Sequence, residues 1–207
     1  MRYRSAVEHR RPAGEDPIAR FLALLDLAKR TPQIAEPTGM ILSTVGEGGR
    51  PSSRVVLLKG ADEDGLVFYT NLQSRKGREA LAHPAVALLF WWHPLETQVR
   101  FEGAAHQVID EEADAYFATR PRGSQLGAWA SEQSRPLESR DQLEARLAEL
   151  TEKFEGMPVP RPPHWSGLRV RPLSIEFWKN RANRLHERHL YTREKPGAPW
   201  SFALLNP

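Results

Sequence analysis

The stretch Arg54–Ala82, RVVLLKGADEDGLVFYTNLQSRKGREALA, decides the fold. Two short β-type runs, Ser53–Leu58 and Leu66–Thr70, flank the turn signal Asp62-Glu63-Asp64-Gly65. Ser74 is a good N-cap for a helix reaching about Ala82. Arg75, Lys76 and Arg78 crowd the first turn of that helix, where the backbone dipole is already positive and cations are disfavoured. A strong anion such as a phosphate, seated among them and the free N–H groups, would reconcile these charges. A solvated basic helix end is the alternative.

Upstream, GMILSTV (39–45) reads as a strand and GEGG (46–49) as a turn, so Ser53–Leu58 is the second arm of a hairpin. Asp16-Pro17 opens an amphipathic helix to about Lys29, with Phe21, Leu24, Leu25 and Ala28 at helical spacing. Downstream, AVALLFWW (85–92) is an apolar strand and 97–109 alternates as a long one. Residues 111–119 read as a helix that Pro121 ends, and 139–154 as a surface helix. Further strands are expected at 167–171, 174–178, 184–192 and about 200–205. The strands are joined by turns, with helices inserted irregularly. That pattern predicts a mainly β protein, a closed or split antiparallel β-barrel with peripheral α-helices, over 1–207 as one domain. Residues 1–15 are polar and expected to be loose.

The 207 residues carry 29 Lys and Arg against 26 Asp and Glu, a net charge of +3, which does not suit a nucleic-acid binder working by bulk charge. The absence of cysteine excludes disulfides, thiolate zinc sites and a cysteine nucleophile. No apolar run approaches a membrane span and the N-terminus lacks a signal-like apolar core, so a cytoplasmic protein with no membrane partner is expected. Histidines stand without second ligands at useful spacing, so no metal is expected. RLHER (184–188), read as a strand, puts Arg184, His186 and Arg188 on one face; an exposed strand face is the plainer alternative. Tyr116 and Arg120 lie four apart on a helix face, and RPRGSQ then breaks the helix and sets Ser124 in a glycine-containing turn. These groups suit a phosphate monoester; a capped helix end is again the alternative. The chain offers anion-binding groups and aromatics but little acid–base or nucleophile machinery, which fits chemistry supplied by an organic cofactor.

Taken together, RVVLLKG (54–60), VFYTNLQSRKGRE (67–79), LLFWWHPLETQVR (88–100), YFATRPRGSQLGAWASEQS (116–134), VPRPPHWSG (159–167), IEFWKN (175–180), RLHERHLY (184–191) and LLNP (204–207) resemble the FMN-dependent pyridoxine (pyridoxamine) 5′-phosphate oxidase family. The resemblance implies a homodimer with FMN at the subunit interface, oxidising pyridoxamine or pyridoxine 5′-phosphate with O₂. It implies flavin contacts from Arg54, Val55, Val56, Leu57, Leu58, Lys59, Tyr69, Thr70, Arg75, Lys76, Gln98, Gln133, Ser134, Trp178 and Arg188. For the substrate it implies Lys59, with Tyr116, Arg120 and Ser124 at the phosphate and Arg184 and His186 at the ring, the last two being the catalytic pair. Arg54 and Lys59 are five apart and should face opposite sides of a regular strand; a bulge or backbone contacts would reconcile them. Before RLHER the family commonly has a glycine-rich turn, where this chain has Asn180-Arg181-Ala182-Asn183. A related flavin oxidase of a phenazine-type ring and a non-catalytic flavin- or pyridoxal-phosphate-binding module are the rival readings.

Overall fold

The computed structural model describes residues 16–207; the expectation for residues 1–15 lies outside them. Among the described residues, nine antiparallel strands form one sheet: β1 (Gly39–Val45), β2 (Pro51–Leu57), β3 (Gly60–Asp62), β4 (Gly65–Asn71), β5 (Ala85–Trp92), β6 (Thr97–Gln107), β7 (Trp165–Lys179), β8 (Glu187–Thr192) and β9 (Ser201–Leu204). Their order is β2-β1-β5-β6-β7-β4-β3, with β8 and β9 continuing from β7. The sheet curls until β2 comes back against β4, where the Lys59 N–H donates to Val67 O (2.8 Å). This is the expected split barrel.

Alternation fixes which side chains fill it. Met40, Leu42, Leu88, Phe90, Val99, Phe101, Ile175 and Phe177 point inward and are buried. The helix α1 (Pro17–Lys29), N-capped by Asp16, closes the barrel with Phe21, whose ring lies 5.0 Å from Phe90 and 4.8 Å from Phe101. A second cluster, Phe117, Leu126, Phe154, Val159 and Trp165, lies under the helices α3 (Asp110–Ala118), α4 (Arg122–Ala130) and α5 (Arg140–Lys153). No helix among the described residues is long and apolar enough to cross a membrane.

The structure corrects four expectations. First, the two strands foreseen at 167–171 and 174–178 are the single β7. Pro172 is carried through it by a register shift opposite Glu102 and Gly103. A Cβ on Gly103 would lie 2.1 Å from Arg171 O, so only glycine lets the backbones meet there. Second, the segment after Pro121 is not an open turn but the helix α4, with Ser124 in its first turn. Pro121 ends one helix and immediately precedes the next, a place proline tolerates because N-terminal amides need no intrahelical partner.

Third, β8 starts only at Glu187. Asn183 and Arg184 are left-handed (φ 57° and 61°), so Arg184 does not share a strand face with Arg188. Fourth, no bulge brings Arg54 and Lys59 together: the Arg54 guanidinium is bonded to Thr44 and Glu79 and does not share the surroundings of Lys59. The strand β2 ends at Leu57, and the chain then leaves β1 to bond Val67 of β4 through Lys59.

Candidate active site

A cavity of about 490 Å³ opens between the barrel seam and the α3–α4 pair. Among the expected site residues, it is lined by Val55, Val56, Leu57, Lys59, Tyr69, Thr70, Lys76, Tyr116, Arg120, Ser124 and Gln133. The helix α2 (Arg75–Ala82) supplies one wall. Ser74 caps it by accepting from the Gly77 N–H (3.2 Å). Gly77 is required because a Cβ there would sit 2.4 Å from Leu72 O.

The three cations of that first turn have different fates. Arg75 donates from Nε to Glu79 (2.8 Å) and Arg78 to Gln73 O (2.6 Å), so much of the expected unbalanced charge is met within the chain. Lys76 has no carboxylate among the described residues. Its Nζ donates to Gln133 Oε1 (2.8 Å), which also accepts from Thr70 (3.3 Å). Burial, then the nearby Arg54 charge, lowers the Lys76 pKa.

Arg54 is on the inner face with Glu79, away from the cavity lining, as is Arg75. Glu79 is a buried hub accepting from Thr44 (2.5 Å), Ser52 (2.6 Å), Arg75 and Arg54. Burial alone would raise its pKa. The hydrogen bonds from Ser52, Thr44 and Arg75, with the Arg75 charge, hold it at about 2.

On the helical side, the Tyr69 and Tyr116 rings stack at 3.9 Å, and Tyr69 lies 5.2 Å from the near-parallel Trp165. Burial, then the Glu112 charge, pushes Tyr69 to about 12; burial also raises Tyr116, against the pull of Arg120. Arg120 Nη1 is buried with no hydrogen-bond partner, and burial lowers its pKa.

A second group of expected residues lies elsewhere. Gln98 is opposite Trp178 and Trp178 opposite Arg188, on the outer face of β6, β7 and β8. Buried Glu176 holds Arg188 (2.7 Å) and Arg100 (2.7 Å). The His186 ring lies 4.6 Å from Trp178, and its Nδ1 accepts the Arg181 N–H (3.3 Å). Arg184 is exposed on its left-handed turn. None of these residues lines the cavity. The first group sits on the β2–β4 seam, α2 and the α3–α4 pair, and the second on β6, β7, β8 and the turn before β8. Leu58 and Ser134 adjoin cavity residues without lining it. Sequence reasoning missed Asn71, Gly127, Ala128, Ser131 and Trp165 in the lining. Asn71 adjoins the selected Thr70 and Ser131 stands two positions before the selected Gln133; Trp165 carried no chemical signal of its own.

A split antiparallel barrel with a basic, aromatic-walled cavity at its seam defines the class. Residues 28–154 match the family model for pyridoxamine 5′-phosphate oxidase, and 165–207 that for the pyridoxine 5′-phosphate oxidase C-terminal dimerisation region. A pyridoxine/pyridoxamine 5′-phosphate oxidase of Myxococcus xanthus is 57% identical over 96% of this chain and 95% of its own, and one of Rubrobacter xylanophilus is 60% identical over 94% and 88%. Among solved structures, PhzG from Burkholderia lata, in complex with tetrahydrophenazine-1-carboxylic acid, is 33% identical with a TM-score of 0.84, covering 98% of this chain and all of its own. The chain belongs to the pyridoxine/pyridoxamine 5′-phosphate oxidase family and is an oxidoreductase.

Proposed function

We propose that the protein is a cytoplasmic homodimer that uses FMN and O₂ to oxidise pyridoxamine or pyridoxine 5′-phosphate to pyridoxal 5′-phosphate, with H₂O₂ as product. The observation that carries this reading is the set of cavity cations with no carboxylate among the described residues: Arg120, with a buried unpartnered Nη1, Lys76 and Lys59. Two phosphate groups, one on the cofactor and one on the substrate, suit such a set. When bound, FMN would accept a hydride from the substrate's C4′ carbon and be reoxidised by O₂. Lys76, Thr70 and Gln133 would hold the cofactor. Tyr116, Arg120, Ser124 and Lys59 would grip the substrate phosphate. Gln98, Trp178 and Arg188 would complete the flavin site from a second copy, where His186 and Arg184 would contact the substrate ring. The C-terminal dimerisation match supports that arrangement. The chain's own work is positioning.

The likeness to PhzG favours a second reading, oxidation of a carboxylated tricycle. Such a ring does not need a phosphate clamp. Air oxidation of pyridoxamine 5′-phosphate by the purified yellow protein is the expected result. Turnover of a reduced phenazine carboxylate with none of pyridoxamine 5′-phosphate would reverse the assignment, and colourless protein that gains no activity with added FMN would end both.

A further inference from the structure

Four shielded arginines elsewhere in the fold are each tied to a carboxylate: Arg161 to Asp110 and Asp114, Arg169 to Asp62 and Glu112, Arg188 to Glu176, and Arg54 to Glu79. Arg120 has no carboxylate among the described residues. Its guanidinium carbon instead lies 4.7 Å from the Trp165 ring centroid and 5.4 Å from that of Phe117, both within cation–π range. Those two rings meet edge to face at 5.0 Å and 70°. Trp165 is 6% exposed and is fixed at the start of β7: its backbone pairs with Asn71, and its carbonyl accepts from Arg161 Nη1 (2.8 Å). The same indole lies parallel to Tyr116 (6.2 Å, 1°).

We propose that Trp165 is the positioning residue of the phosphate clamp, its π face holding Arg120 aimed into the cavity without neutralising it. The inference rests on the reading of Arg120 as the clamp. A carboxylate in this place would hold the guanidinium as firmly but would compete with a phosphate dianion for the same donors. An indole face attracts the cation through its quadrupole and leaves the N–H groups free for the ligand. Burial lowers the Arg120 pKa from so high a starting value that the group stays charged at neutral pH.

The test is steady-state kinetics on the FMN-loaded enzyme, with pyridoxamine 5′-phosphate as substrate and inorganic phosphate as competing probe. Trp165→Leu is expected to raise KM and the phosphate inhibition constant together by about 3- to 30-fold, with a smaller change in kcat and full flavin content. Trp165→Phe, which keeps a π face, should recover most of the loss. In an Arg120→Ala background the same substitution should add no further rise, because both act through one interaction. Additive losses, or equal losses in Leu and Phe variants, would overturn the proposal in favour of simple packing. If Trp165→Leu does not fold, site-specific fluorination of the indole weakens its negative face at nearly constant shape; an unchanged phosphate constant then overturns it. Arg120→Ala alone tests the underlying clamp. If it leaves KM for phosphorylated substrate unchanged, the clamp reading falls; if it raises KM while Trp165→Leu does not, only the role of Trp165 falls.

Discussion

The two groups of site residues treat charge in opposite ways. In the cavity, Arg120 and Lys76 meet only aromatic faces and an amide oxygen. On the outer face of β6–β8, Arg188 and Arg100 share the buried carboxylate of Glu176, and just before β8 Arg181 bonds Glu187 through Nε and Nη2. A cation without a carboxylate is a receptor waiting for an anion, whereas a saturated one is a fixed piece of scaffold. On the proposed function, the difference would give anion capture to the cavity and shape and orientation to the outer face.

The sharpest way to break that contrast is Arg120→Ala. Loss of a charged hydrogen bond should lower kcat/KM for phosphorylated substrates by about 10- to 150-fold and leave unphosphorylated pyridoxine nearly unaffected. Equal losses on both would show that the clamp lies elsewhere. A second prediction asks whether the two groups meet across a twofold axis. Arg120→Ala and Arg188→Ala, each impaired alone, should regain about a quarter of wild-type activity when co-expressed, since random pairing restores one complete site in half the dimers. No recovery, in mixed dimers isolated by sequential purification on a different affinity tag for each variant, would place both residues in one subunit's site.

Beneath both groups sit buried carboxylates, and Glu79 gives a pH signature. Its folded pKa, about 2, is below its ordinary 4.5. The stability it contributes is therefore complete above about pH 4.5 and is lost as pH falls from there through about 2. Glu79→Gln should remove about 1–3 kcal/mol at neutral pH and flatten that part of the acid-unfolding curve. A variant with the wild-type acid profile would show that the hub is not held as described. The smallest effect is expected at Arg181, whose pair with Glu187 is exposed. Arg181→Gly should change KM by no more than about twofold, and less at high salt; a large change in kcat would instead make the 181–187 segment part of the catalytic geometry.

Much of this molecule was legible in the linear chain. Turn signals, alternation and the Ser74 cap placed most strands and the helix α2, because those features act within a few residues. Tyr116, Arg120 and Ser124 converge on the cavity although Ser124 stands on a helix rather than a turn; Gly123 and Gly127 hid α4, since glycine lowers helix propensity. Two left-handed residues, Asn183 and Arg184, hid the true start of β8. Neither is glycine, and only the surrounding fold imposes that backbone.

The amino-acid sequence by itself determined the barrel, its basic helix start and the residue types of an anion site, because periodicity, capping and composition are local properties. Only the tertiary structure decided which cations are already paired. Glu79 reaches Thr44 and Ser52 from 35 and 27 positions away, and Trp165 reaches Arg120 across two helices and a loop. Whether a charge is spent or available depends on neighbours brought together by folding, and no spacing along the chain records them.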